Sequence, residues 1–146
     1  MDHATLQIRR RTYELFVEYG RAPAPAEVAN AEGLAEEAVV AAWRALHDAH
    51  ALVLDETGAI LMANPFSAAP TAFRVEAGGR SWYANCAWDA IGICAALDAD
   101  GLVETKCPDC GHPISLDIRD KRPSDDSLLF HCLVPAAHWW DDIVFT

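Results

Sequence analysis

Absent from this sequence is any apolar run approaching the roughly 18 residues that a membrane span requires, so no membrane-embedded role is expected. The opening residues, MDHATLQIRRR, carry neither the apolar segment nor the cleavage site of a signal peptide, and the chain reads as cytoplasmic. Positive charge is scarce. Eleven Lys and Arg stand against 22 Asp and Glu, a formal net charge of −11. That balance repels a phosphate backbone everywhere except at a local basic patch, which disfavours a nucleic-acid partner. There is no internal repeat and no low-complexity tract. Nor does a second Cys-x-x-Cys or a His-x-x-x-His accompany the one Cys-x-x-Cys, so local spacing does not spell out a full zinc-ligand set. What is present, 52% hydrophobic and 23% charged residues over 146 positions, describes a soluble globular chain able to bury a core. Five cysteines, an odd number without an export signal, suggest thiols kept reduced for chemistry or metal rather than a disulfide framework.

The character of the chain changes near residue 65, which divides it into a lobe over 1–65 and a second unit over 66–146. In the first part Leu6, Tyr13, Phe16 and Val17 recur at helical spacing, and Gly20 ends that helix. Pro25 sits near the start of a second helix, and a third runs from about Ala35 to His47 with Val39, Ala42, Trp43 and Leu46 on one face. Ala51–Asp55 and Ala59–Ala63 flank Glu56-Thr57-Gly58, which is hairpin chemistry. Three helices and a two-stranded wing are the order of a winged helix. Such a unit either places its third helix in a DNA groove or serves as a scaffold. The acidic Glu36, Glu37 and Asp48 against the single Arg44 favour the scaffold.

After Asn64-Pro65-Phe66-Ser67, a turn-rich linker by composition, a strand is expected over Thr71–Glu76. A Gly78-Gly79 turn follows, and then a strand or helix entry at Arg80–Tyr83. From Ala84 to Leu97 the apolar residues follow a helical period, which puts Cys86 and Asp89 of the stretch WYANCAWD in a first helical turn. Residues three apart on a helix stand roughly 5–6 Å apart at Cβ and can act on one substrate atom. The positive end of the helix stabilises a thiolate, which predicts a lowered pKa for Cys86. The plainer alternative is a core cysteine beside a carboxylate that satisfies first-turn amides.

Cys107-Pro-Asp-Cys110-Gly111 has the form of a zinc knuckle, in which two thiolates on a glycine-permitted turn grip one cation. A structural zinc needs two further ligands, to be drawn from Cys86, Cys94, Cys132 and the histidines. Alternatively the site is open for a transient metal, or the turn is inert. The strand-to-helix context of a thioredoxin-like redox pair is missing. Leu128–Val134, with Cys132, reads as a strand. Trp139 and Trp140 read as core or pocket wall, and His138 as a satisfied histidine rather than a ligand.

With these residues in hand the chain resembles the organomercurial (alkylmercury) lyases. The block Tyr83-Ala-Asn-Cys-Ala-Trp-Asp89 is similar to that family's aromatic-led Cys-Ala-x-Asp signature. The spacing Val103-x-x-x-Cys107-x-x-x-Gly111-x-Pro113-x-Ser115-Leu116 resembles its segment around a further cysteine. The resemblance implies an α+β fold, with a winged-helix-like three-helix lobe followed by a small mixed α/β core. It implies that Cys86 attacks the metal of an organometal, that a second thiol adds electron density, and that Asp89 relays a proton to the departing carbon. Cys132 is the expected second thiol, but if His131 is matched to the histidine that follows the family's second cysteine, that position falls on Ser127. Cys110 is an addition to the pattern. The resemblance further implies a small organometallic substrate, Hg(II) as product ligand at Cys86 and Cys132, and no organic cofactor. Small thiols or a downstream metal reductase are the implied product acceptors. Zinc at Cys107 and Cys110 is a further expectation. Two other classes stay open: a metal-binding or metal-sensing module using Cys107, Cys110 and Cys132, and a transcription regulator built on the winged helix.

Overall fold

Asp2 begins the first helix by accepting the Thr5 amide at 2.8 Å, a side-chain cap for an amide that has no partner within the helix. This helix, α1 (His3–Tyr19), stops at Gly20, whose φ of 69° returns its N–H to the Phe16 carbonyl. Proline opens α2 (Pro25–Glu32), and α3 spans Glu36–Asp48. The strands β1 (Val53–Leu54) and β2 (Ile60–Ala63) then pair antiparallel. Their turn is fixed by Asp55, whose Oδ1 accepts from the amides of Thr57 and Ala59. The helix-helix-helix-hairpin order expected from the sequence is therefore present. The computed structural model describes residues 1–144, and no helix among them is long and apolar enough to cross a membrane.

The expected linker holds a strand. Phe66–Ser67 forms β3, two residues long, paired with β2 on one side and with β5 (Arg80–Ala84) on the other. Phe66 explains why: it is 2% exposed, stacks on Phe16 with ring centroids 5.2 Å apart, and meets the edge of Trp82 at 5.9 Å. Burial of that ring outweighs the turn propensity of the Asn-Pro before it. β4 (Phe73–Ala77) and β5 form a hairpin whose turn, Gly78 and Gly79, takes φ of 57° and 77°, the left-handed values that a tight hairpin demands. The remaining elements are α4 (Ala87–Leu97), β6 (Gly101–Lys106), β7 (Pro113–Arg119) and β8 (Arg122–Pro123). Together they complete an antiparallel sheet of order β1-β2-β3-β5-β4-β6-β7-β8. α4 lies on β4, β5 and β6. The packing is tight at Gly101, where a Cβ would stand 2.6 Å from the Cys94 sulfur and 2.7 Å from the Glu76 carbonyl oxygen. Cys94, 1% exposed, is thus a packing residue.

The strand expected over Leu128–Val134 is not formed. β8 ends on Pro123, the Ser124 amide still donates to the Asp117 carbonyl of β7 at 2.8 Å, and the chain leaves the sheet beyond it. It runs on as irregular backbone with Leu129 94% exposed and Leu133 80% exposed, then turns through a short 3-10 helix at Ala136–Asp141.

One buried cluster runs through the helices and the sheet. At its helical end Trp43, fully buried, donates from Nε1 to Thr12 Oγ1 at 2.9 Å, while the Thr12 hydroxyl donates to the Ile8 carbonyl at 2.8 Å. Trp43→Ala removes the largest core side chain and leaves a cavity beside a buried hydroxyl. We expect a loss of about 3–5 kcal/mol in denaturant unfolding, with Thr12→Val costing less. A loss under about 1 kcal/mol for Trp43→Ala would contradict the central place of this indole.

Candidate active site

The site is assembled where β5 hands over to α4. The strand ends on buried Ala84, Asn85 follows, and Cys86 is the N-cap of α4 in extended conformation. The Cys86 carbonyl accepts the Ala90 amide at 2.9 Å, which closes the first turn and places Asp89 in it. Side chains of Cys86 and Asp89 therefore face one cavity of about 410 Å³. Its polar wall is Asn64, Asn85 and Asp89, and its apolar and aromatic wall includes Phe73, Trp88, Phe130 and Trp139. His131 and Cys132 border it from the irregular segment.

Asn85 holds the carboxylate in place. Its Nδ2 donates to Asp89 Oδ2 at 3.0 Å, to Asn64 Oδ1 at 3.1 Å and to the Phe66 carbonyl at 3.4 Å. Three acceptors lie around this nitrogen and no donor reaches the buried Oδ1, which fixes which way the amide points. The network continues into the N-terminal lobe, where the Tyr13 hydroxyl of α1 donates to the Asn64 carbonyl at 3.1 Å. Burial raises the Tyr13 pKa, so the hydroxyl remains a donor. Sequence reasoning missed Asn85, Asn64 and Tyr13. The available signal was the polar Asn85 set between a strand end and the helix that carries Cys86.

The electrostatics correct one expectation. Cys86 was expected to have a lowered pKa, but burial pushes its thiol up. The Asp89 and Trp88 amides favour the thiolate, yet Cys86 makes no side-chain capping hydrogen bond, and these amides do not offset the desolvation. The Asp89 carboxyl is also raised, again chiefly by burial, while hydrogen bonds from Asn85 and Cys86 pull it back. The neighbouring carboxylate adds to the rise of the thiol, and the neighbouring thiol draws the acid down.

The other sequence candidates are distributed as follows. Cys132 borders the cavity, is exposed, and donates its S–H to the Val134 carbonyl at 2.9 Å. Ser127 lies outside the cavity wall, with its hydroxyl donating to Asp125. Cys107 and Cys110 occupy the turn between β6 and β7, from which only Pro108 reaches the cavity. Backbone amides of Cys110 and Asp109 hold the Cys107 thiol below its ordinary pKa. Among the described residues no group of three or more His, Cys, Asp or Glu is arranged to hold a metal ion. The donor set at Cys107 and Cys110 thus falls short of the four ligands a structural zinc takes. His138 pairs with Asp141 at 2.9 Å, Trp139 stands on the cavity wall, and Trp140 stacks on His50 at 4.3 Å.

The MerB family, the alkylmercury lyases, matches residues 66–146. The chain belongs to this family. The alkylmercury lyase match takes in β3 through the irregular segment, and so includes Asn85, Cys86, Asp89 and Cys132. The fold is similar to the crystal structure of the mercury-bound form of MerB2, with a TM-score of 0.68 and 23% identity, over 86% of this chain and 60% of that one. The chain accordingly spans about 60% of the length of that MerB2 structure. No curated protein matches it.

Proposed function

We propose that this protein cleaves the carbon–mercury bond of a small organomercurial in the cavity, with Cys86 capturing the metal and Asp89 protonating the carbon. The observation that carries this reading is that Cys86, at the N-cap of α4, and the half-buried Asp89, in its first turn, line one cavity.

The chemistry follows from softness. Hg(II) prefers thiolate to any oxygen or nitrogen ligand, so the sulfur displaces whatever weak ligand accompanies the organic group. The displaced thiol proton passes to Asp89, whose pKa, raised by burial, suits it to take a proton and give it back. Coordination by thiolate pushes electron density onto mercury and weakens the carbon–mercury bond. The electron pair of that bond leaves with carbon and takes the proton from Asp89, so the products are a hydrocarbon and thiolate-bound Hg(II). No net electron transfer occurs, and Asp89 is ready for the next cycle. Cys132 is the thiol of the cavity wall available to supply a second sulfur. The aromatic wall of Phe73, Trp88, Phe130 and Trp139 offers an apolar surface to the organic group. Small thiols, or a metal reductase that accepts Hg(II), would take the product.

In this reading residues 1–65 are a scaffold lobe and 66–146 the catalytic core, and the protein works in the cytoplasm, where thiols stay reduced. The scaffold role is supported by Tyr13 steadying Asn64, and by the acidic Glu36, Glu37 and Asp48 on α3, which oppose phosphate binding.

Asn85→Ala tests the support of the carboxylate. Because Asn85 contacts Asp89 and not the thiol, mercury capture should persist while hydrocarbon release falls about tenfold, in keeping with loss of a residue that orients a catalytic group. Capture is followed by the loss of titratable thiol and release by gas chromatography. Equal loss of both activities would make Asn85 merely a folding residue. The experiment that tests the function itself is benzene release from phenylmercury in the presence of excess small thiol. Binding without release would leave a cysteine-based metal-binding protein and end the lyase reading.

A further inference from the structure

The Cys107–Cys110 turn stands apart from the lyase chemistry. β6 and β7 pair as far as Lys106 and Pro113, and the chain between them closes tightly. The Cys107 amide donates to the His112 carbonyl, the Gly111 amide donates to the Cys107 carbonyl, both at 2.9 Å, and Gly111 takes a φ of 71°. These bonds hold both cysteines on one short loop. Two thiols three residues apart are thereby carried on one closed turn at the end of the β6–β7 hairpin. Cys110 is exposed, so the pair is open to solvent.

Coordination number decides which cation such a pair takes. Zinc is satisfied by four ligands in a tetrahedron, and no third His, Cys, Asp or Glu joins these two among the described residues. A soft d¹⁰ cation that accepts two thiolates in a line, such as Hg(II), Ag(I) or Cu(I), needs nothing more. We propose that Cys107 and Cys110 form a two-coordinate binding site for a soft cation, separate from the cavity that holds Cys86. Each bound ion displaces the thiol protons to solvent, and no oxidation or reduction is involved.

The site can be tested without lyase activity. In Cys86→Ser/Cys132→Ser protein the cavity thiols are gone and Cys94 is buried, which leaves the turn as the accessible thiol pair. Anaerobic titration of this variant with Hg(II) or Ag(I), against a competing monothiol, should give one equivalent bound, with two sulfur neighbours by X-ray absorption. Adding Cys110→Ser should weaken binding by about 10²–10⁴-fold, the range gained when a second contact becomes intramolecular. In the unaltered sequence the same site should appear as an equivalent that Cys107→Ser/Cys110→Ser protein fails to take up, a comparison that holds even if the first variant folds poorly. Equal uptake with and without the two cysteines would overturn the proposal. So would one equivalent of zinc retained against a chelator in four-coordinate form.

Discussion

Cys86→Ser should give a folded protein that releases no benzene from phenylmercury and takes up one equivalent less of it than the unaltered sequence, the remaining uptake belonging to the other accessible thiols. The folding half of this expectation comes from position. Cys86 is the N-cap of α4 and makes no side-chain capping bond, whereas serine is among the preferred residues there, so stability should be kept or improved. The chemical half comes from softness, since a hydroxyl is a poor ligand for mercury and its proton is far harder to displace than that of a thiol. Benzene release should drop by a factor on the order of 10⁴–10⁶, as when an enzyme loses its nucleophile. Unfolding curves and gas chromatography on the same preparation check both halves. Near wild-type release from a well-folded variant would remove Cys86 from the mechanism.

Asp89→Asn should separate the two steps. The residue sits in the first turn of α4, half-buried, with burial already raising its pKa. A neutral amide of the same shape is therefore tolerated, and its oxygen can still accept from Asn85. The thiol of Cys86 still binds the compound, giving its proton to water instead. Without a carboxylic acid beside the carbon, single-turnover release of hydrocarbon should fall by roughly 10²–10⁴-fold, the usual contribution of a positioned general acid. Stoichiometric capture with that loss of release is the signature. Undiminished release would mean that the proton reaches carbon from another group.

Much of this arrangement could be read from the sequence, and what could not has a common cause. Helices α1, α2 and α3 were legible because local signals agree: apolar period, Pro25 at a start, Gly20 at a stop. That Cys86 and Asp89 lie close together followed from their three-residue spacing, but the helix begins at Ala87 rather than Ala84, so Cys86 is its extended N-cap and not a residue of its first turn as expected. β3 was hidden because its reason, the packing of Phe66 between Phe16 and Trp82, is nonlocal. Leu128–Val134 has the composition of a strand, but a strand needs a neighbour, and the chain has left the sheet after Ser124. The sign of the Cys86 shift depended on how far the fold buries the sulfur, which the helix N-terminus alone does not set. Asn85 mattered through partners at positions 64, 66 and 89, and only the folded chain brings the first two near it.

Trp88 is two residues from Cys86 on the cavity rim, 67% exposed, and Trp139 stands on the wall of the same cavity. Both indoles thus border the space where a mercury atom would be held. A heavy nucleus beside an excited indole couples its singlet to its triplet and opens a dark route for decay. Trp43 and Trp82, sealed in the core, lie outside that cavity wall and should go on emitting. Occupation of Cys86 should therefore dim part of the protein's own fluorescence, and departure of the ion should restore it. Binding and discharge in the cavity would then be readable as light, with no label on either protein or substrate.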